Sequence, residues 1–529
     1  MSEPGTGTRQ ARGGTYRTLD EQAGRLSDAE TRFERRRRTA GLFLAPVAFL
    51  LLLVAPLELT RPQQNLAAVL GLVLVLWITE AIPIPISGLV GVCLCAMLQV
   101  TGEPDEIFAS FSNSTVFLFI GSFIIAEAMV VHRLDRRLAF SVLSSRFVGS
   151  STTRIILAFG LIGALTSPFM SNTGAAAMML PIAVGVMTSV GELINRSSIT
   201  EVDPWRLRFG AALMLVITYS ITVGGLLLPI GSPPNLIGRD LVEDATNEPI
   251  TFLEWFLMAF PVVAAMFAAV IVVVLVLNRP EVKNVPGVED FVAAEKSRLG
   301  PMSRGERNTL LAFALAVVGW SLPGAVALFT GDDSAMYADV SSVLDEGVVA
   351  VLAAGLLFVL PVSWPERRFT LNWNEAARID WGTVLLFGSG IAFGTLMSQT
   401  GLAKKIGEGL SDALNVSSEI TITILVVVIA VLISETTSNT ASAAIVVPIG
   451  IFLAQAVDVN PAVPGLAAVF GANYGFMLPV STPPNAIVYS SGYLPITRMI
   501  KAGALFDVIG AVLCVVGVAV MARVVGLAG

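Results

Sequence analysis

Two tripeptides, Ser171-Asn172-Thr173 and Ser438-Asn439-Thr440, each open a run of small apolar residues that ends in proline, GAAAMMLP and ASAAIVVP. Each is followed by a second polar interruption of an apolar stretch, Gly231-Ser232-Pro233-Pro234-Asn235 and Ser481-Thr482-Pro483-Pro484-Asn485. Hydroxyls and side-chain amides are neutral donors and acceptors. Serine ahead of an alanine-rich run fits a helix N-cap, and the free N–H groups and dipole of that helix end attract an anion. Ala175, Ala176 and Ala177, with Ala441, Ala443 and Ala444, allow close helix approach. Prolines lack an N–H, so the carbonyls of Pro229, Ile230, Pro479 and Val480 are expected to lose helical partners. Freed carbonyls, hydroxyls and amide oxygens suit a hard cation such as Na+. No Lys or Arg lies within any of the four motifs. An anion held there by neutral donors needs compensating charge, and bound cations supply it. One such break reads as a kink and one such serine as a cap. Two matched sets read as a shared carboxylate site with Na+ beside it.

These motifs sit in a chain of 529 residues that is 54% hydrophobic and 14% charged, with a mean hydropathy of +0.76. Stretches such as 40–56, 66–79, 252–277 and 504–522 are long enough to cross a hydrocarbon core about 30 Å thick. The class is an all-α polytopic membrane protein in a lipid bilayer, not a barrel of short alternating strands. Residues 1–39 read as a disordered cytoplasmic tail without the apolar core of a signal peptide. The chain has no catalytic Ser/His/Asp set, no metal-ligand cluster and no nucleotide loop, so an enzyme is not expected. Nothing calls for nucleic acid. Cys93, Cys95 and Cys514 lie in apolar stretches and read as packing residues.

Spans are expected near 41–57, 65–80, 84–100, 115–131, 252–277, 308–329, 347–361, 382–400 and 502–526, with broken spans at 209–239 and 463–489. Two interrupted segments, 152–190 and 418–455, read as re-entrant hairpins. This makes about eleven transmembrane helices plus two hairpins. Arg35 to Arg38, just before the first span, place the N-terminus in the cytoplasm of a cell with this protein in its inner or plasma membrane. The map then puts 28 of the 33 Lys and Arg inside, all but Arg61, Arg239, Lys404, Lys405 and Arg523. The C-terminus falls outside.

Gly121-Ser122 and Gly388-Ser389 share the 267-residue offset of the two Ser-Asn-Thr motifs, while the Pro-Pro-Asn motifs are 250 apart. The basic turn at Arg133 to Arg137 maps inside and its counterpart at Lys404 and Lys405 outside. The chain therefore reads as two repeats of inverted topology, 40–278 and 308–529, joined by a cytoplasmic linker at 279–307. Inverted repeats with broken helices are the common build of secondary transporters. Glu80 and Glu435 are near-membrane acids and hence functional candidates. Glu80 also fits a helix anchor. Glu435 fits either a cation site or a bond to backbone. His132 sits at an interface and is read as structural ahead of a proton relay.

Together these residues resemble the divalent anion:sodium symporter family. The resemblance covers nearly the whole chain beyond the tail and includes TEAIPIPIS (79–87), HRLDRRLA (132–139), FMLPVSTPPNAIV (476–488) and all four motifs. It implies a homodimer with a scaffold and a moving transport domain, working as an elevator. It implies that Ser171, Asn172, Thr173, Ser438, Asn439 and Thr440 bind substrate carboxylates, with the Ser232-Pro233 and Thr482-Pro483 turns closing the pocket. It implies one sodium site at Ser167, Ser171, Asn172 and Gly231, and another at Ser434, Thr437, Asn439 and Ser481. The function it implies is sodium-coupled symport of C4-dicarboxylates such as succinate, malate and fumarate. A sodium-independent dicarboxylate exchanger and a sodium-coupled citrate or sulfate symporter are the neighbouring readings. The chain departs from the family pattern at Asn473, usually Ser, and at Ser232, usually Thr.

Overall fold

A computed structural model describes residues 28–527 apart from 102, 197–206, 286, 332 and 415. The expected tail up to residue 27 lies outside the described residues. Its last part, 28–39, is helical instead, because the first helix runs unbroken over Asp28–Val54. That extension is held by charge: Arg37 and Arg38 reach Glu80 at 3.2 and 3.6 Å.

Among the described residues, ten helices are long and apolar enough to cross a membrane, or eleven if the bent pair Ala335–Val343 and Glu346–Val359 is one span. The number agrees with expectation, but the membership differs. Glu419–Thr436 and Asn439–Ala456 each reach membrane length, whereas Arg208–Gly224 and Ala462–Ala472 fall short of it. The shortfall has a cause: both short helices stop at the breaks ahead of the Pro-Pro-Asn motifs. The departures from an all-helical chain among the described residues are a two-stranded hairpin, with Pro361 opposite Phe369 and Ser363 opposite Arg368, and a single antiparallel bridge between Ser151 and Asn284.

The long peripheral helices start from strong local signals. Thr251 Oγ1 accepts from the Glu254 N–H at 3.2 Å, and Glu254 answers by accepting from the Thr251 N–H at 2.7 Å. This capping box opens the 26-residue helix Phe252–Leu277, about 39 Å long. Ser303 and Glu306 open Arg304–Thr330 in the same way. Two further helices were expected only as basic turns. Leu134–Leu143 begins after Arg133 at φ 58°, and Leu402–Leu414 begins after Gly401 at φ 72°. Leu134 and Leu402 are buried while Lys404 and Lys405 are exposed, as for helices lying along a surface.

The two halves of the chain interlock. Pro233–Thr246 packs on Asn439–Ala456 and Ala462–Ala472, while Pro483–Tyr489 packs on Asn172–Arg196 and Arg208–Gly224. Each Pro-Pro helix thus rests on the Ser-Asn-Thr helix of the other half. Within the first half, Thr152–Thr166 and Arg208–Gly224 approach so closely that a Cβ on Gly224 would lie 2.5 Å from the Ala164 backbone. This contact sets Ser167 beside Gly225. Gly224→Ala should therefore destabilise the protein by about 1–3 kcal/mol, as overpacking does. Gly355→Ala, where the added carbon meets nothing within 4 Å, should not. Thermal unfolding of the two variants in detergent checks this.

Candidate functional site

The first tip forms where Thr152–Thr166 runs into a 3-10 turn at Ser167–Phe169, passes through extended Met170 and restarts at Asn172. Ser171 Oγ accepts from the Gly174 N–H at 3.1 Å. The second tip forms where Glu419–Thr436 ends, Thr437 is extended and Ser438 caps Asn439–Ala456. Ser438 Oγ accepts from the Ala441 N–H at 3.2 Å. Both serines therefore act as the sequence predicts. The amides of Asn172, Thr173, Asn439 and Thr440 come before the first intrahelical bonds of their helices. In each tip the asparagine turns its oxygen back to a serine five residues earlier. Ser167 donates to Asn172 Oδ1 at 2.6 Å, and Ser434 donates to Asn439 Oδ1 at 2.7 Å.

The two breaks also match. Asn235 Nδ2 donates to the carbonyls of Gly225 (2.8 Å) and Leu228 (2.9 Å). Asn485 Nδ2 donates to those of Gly475 (2.6 Å) and Leu478 (2.9 Å). The prolines do not free carbonyls from a continuous helix. The helices have already ended at Gly224 and Ala472, and Pro233 and Pro483 begin new ones. At a helix start the missing N–H costs nothing. The carbonyls that lose helical partners lie earlier than Pro229 and Pro479, and the asparagine ties two of them down in each half.

These elements gather oxygens around one point. A Cβ on Gly225 would lie 3.0 Å from Asn172 Oδ1, 3.3 Å from the Gly231 carbonyl and 3.4 Å from Ser167 Oγ. Three of the four residues expected at the first cation site thus ring a space that only glycine leaves open, while the Ser171 hydroxyl is engaged with its own helix. The second half is less rich in oxygens: a Cβ on Gly475 would lie 3.0 Å from the Thr482 methyl, 3.1 Å from Ser481 Cβ and 3.4 Å from Asn439 Oδ1. Ser434 joins through Asn439. The Thr437 hydroxyl turns away and donates to the Ile433 carbonyl at 2.9 Å.

Of the expected carboxylate-binding residues, Ser171 and Pro483 are exposed. Asn172, Thr173, Pro233, Ser438 and Asn439 are half-buried, and Ser232, Thr440 and Thr482 are buried. Asn473 ties the halves together. It accepts from Ser232 Oγ at 2.7 Å and donates to Asn235 Oδ1 and to the Val469 carbonyl, each at 3.0 Å. Its own carbonyl accepts from Asn439 Nδ2 at 3.1 Å. Thr218 makes the reciprocal link, donating to Asn485 Oδ1 at 2.6 Å. The extra reach of asparagine over the usual serine is what joins Ser232 to Asn235.

Glu435 is 2% exposed. It accepts from the N–H groups of Phe476 (2.5 Å) and Met477 (2.9 Å) and from Ser481 Oγ (2.8 Å). Of its two expected roles it fills the backbone-bonding one, and it abuts the second cradle through Ser481. One guanidinium approaches the second tip. Arg37 donates to the Thr436 carbonyl at 2.7 Å, but it is also paired with Glu80. Glu80 is therefore an anchor. His132 Nε2 lies 2.7 Å from the Thr370 carbonyl, a tertiary tie between helix end and hairpin. Cys514 is buried with its thiol 3.4 Å from the Ala467 carbonyl, and Cys95 is buried too. A cavity lined by Ser114, Arg239, Glu243, Tyr337 and Glu346 contains no motif residue. Its guanidinium is already held by Glu346 at 2.7 Å and Glu243 at 2.9 Å.

Matched broken helices that present neutral oxygens inside a helical membrane bundle define a multi-pass membrane transporter. The chain belongs to the divalent anion:sodium symporter family: residues 37–527 match the family described as Sodium:sulfate symporter transmembrane region. It is similar to the sodium-dependent dicarboxylate transporter SdcS of Staphylococcus saprophyticus, with 33% identity covering 88% of this chain and 87% of that one. It is also similar to SdcS of Staphylococcus aureus strain RF122, with 34% identity covering 90% and 89%. Two solved transporters share the fold at 12% identity. The YdaH transporter of Alcanivorax borkumensis has a TM-score of 0.51 and covers 79% of this chain and 87% of that one. MtrF of Neisseria gonorrhoeae has a TM-score of 0.54 and covers 87% and 95%.

Asn473 carries a prediction. Asn473→Ala strips partners from Ser232 and Asn235, both buried, and each unsatisfied group costs about 1–3 kcal/mol. Thermal unfolding of the purified variant should show a clear loss of stability, whereas an unchanged melting temperature would remove Asn473 from the centre of the site.

Proposed function

We propose that this protein is a sodium-coupled symporter of C4-dicarboxylates. The observation that carries the reading is the space at Gly225, ringed by Asn172 Oδ1, Ser167 Oγ and the Gly231 carbonyl. Such a cradle of uncharged oxygens suits Na+ and, unlike a basic residue, brings positive charge only when the ion is bound. Na+ binds first at the two cradles and holds Asn172 and Asn439 in place. The dianion then binds with one carboxylate at each tip, on the amides at the starts of Asn172–Arg196 and Asn439–Ala456. The names of the staphylococcal relatives agree with both ions.

The tips belong to hairpins entering from opposite faces, in repeats of inverted topology. The matched hydrogen bonds of the two halves and the distribution of Lys and Arg support this, with the N-terminus inside and the C-terminus outside. The interlocked tips and Pro-Pro helices move together as the transport domain of an elevator, and the protein works as a homodimer.

Uptake of radiolabelled succinate into proteoliposomes, with Na+, K+ or choline outside, tests the coupling. Uptake should require inward sodium. Equal uptake in choline, or uptake that needs preloaded dicarboxylate, would sink the symport reading. Asn172→Ala and Asn439→Ala each remove a bond to a charged ligand worth about 1.5–3 kcal/mol. Each should weaken apparent succinate affinity roughly ten- to a hundredfold, with elution on size exclusion unchanged. Wild-type uptake in both variants would remove the site from the tips.

A further inference from the structure

The consecutive arginines Arg35 to Arg38 do not share one task. The helix Asp28–Val54 turns Arg37 and Arg38 toward the protein and Arg32, Arg35 and Arg36 away from it. Arg38 is buried, as is Ala45 two turns further along the same side, and both inward arginines pair with Glu80. Arg32, Arg35 and Arg36 are exposed. Among the described residues, none of their side chains forms an ion pair. They stand at i, i+3 and i+4, so the three charges are neighbours on one patch of helix. Like charges so placed repel one another, and an anion brought to the patch relieves them.

The face that carries them is the membrane face. At helical spacing, Arg32 and Arg36 run on into Phe43, Val47, Leu50 and Val54, all of them exposed. From Arg35 onward the helix is long and apolar enough to cross a membrane, and it packs chiefly on Arg61–Thr79. That leaves the stripe to lipid chains. From Arg36 to Val54 the helix axis measures about 27 Å, and the hydrocarbon core of a bilayer is about 30 Å thick. With Val54 at one edge of that core, Arg36 comes level with the other edge, and Arg32 lies one turn further, among the headgroups. A guanidinium presents a planar fork of donors that matches phosphate oxygens.

We propose that Arg32, Arg35 and Arg36 bind the phosphate of an anionic phospholipid whose acyl chains lie along Phe43, Val47 and Leu50. The two halves of the stripe define the partner: a free phosphate would use the arginines alone, and a neutral lipid the apolar residues alone. The next residue, Arg37, donates to the Thr436 carbonyl at the second tip. A lipid bound on the outer side of this turn therefore steadies the helix end that touches that tip on its inner side. The site rests on the membrane-spanning helix and is independent of the sodium reading above.

Native mass spectrometry of the purified full-length protein, titrated in detergent with phosphatidylglycerol or with phosphatidylcholine of the same chain length, tests this. The wild type should hold phosphatidylglycerol the more tightly. A triple variant, Arg32→Gln, Arg35→Gln and Arg36→Gln, should lose about ten- to a hundredfold in phosphatidylglycerol affinity. Equal affinity of the wild type for the two lipids, or an undiminished preference in the triple variant, overturns the site. Displacement of the lipid by inorganic phosphate overturns the lipid as its occupant. Should the triple variant fail to fold, salt decides on the wild type. The preference should fall in about 1 M ammonium acetate, where charges are screened beyond about 3 Å, and a preference unchanged there overturns the proposal.

Discussion

Inside a membrane, a helix that breaks must satisfy its loose backbone groups within the protein, since no water is there to do so. Asn235 and Asn485 meet that constraint. Each side-chain amide spans its break and takes two carbonyls, ten and seven residues back. With those carbonyls tied down, the chain can turn sharply at Gly225 and Gly475 and present other oxygens to a ligand. The two bridges settle the breaks, while the serine caps and the Ser167–Asn172 and Ser434–Asn439 bonds settle the tips. The prolines define where the next helix starts, and Gly225 lies against Asn172 Oδ1, the Gly231 carbonyl and Ser167 Oγ.

The bridges also account for how the halves communicate. Asn235 uses its oxygen on Asn473, and Asn485 uses its oxygen on Thr218. Each break is thereby fastened to the other half of the chain. Asn473 adds Ser232 and Asn439 to the same network. Two hydrogen bonds, both through Asn473, join Asn235 at the first break to Asn439 at the second tip. This short path suits the proposed coupling, in which bound sodium prepares the carboxylate site.

Much of this was legible in the sequence because it is written locally. The Ser-Asn-Thr caps need only a serine and a run of helix formers. The doubled Pro-Pro-Asn needs only its own repetition to stand out. Other features depend on residues far apart in the chain, and no local spacing encodes them. Asn473 looked like a departure from a familiar serine, yet its side chain closes a contact 241 residues away with Ser232. The helices Leu134–Leu143 and Leu402–Leu414 were read as basic turns because their apolar faces are short. The fate of the carbonyls was misplaced because the breaks open several residues ahead of the prolines.

The central claim is that sodium builds the site to which the dicarboxylate binds. Ligands that help one another must do so reciprocally. Succinate binding to the purified protein, measured at equilibrium over a range of sodium concentrations at constant ionic strength, therefore tests the account most directly. Succinate affinity should rise steeply with sodium and be lost in choline. Equal affinity in sodium and choline would contradict it.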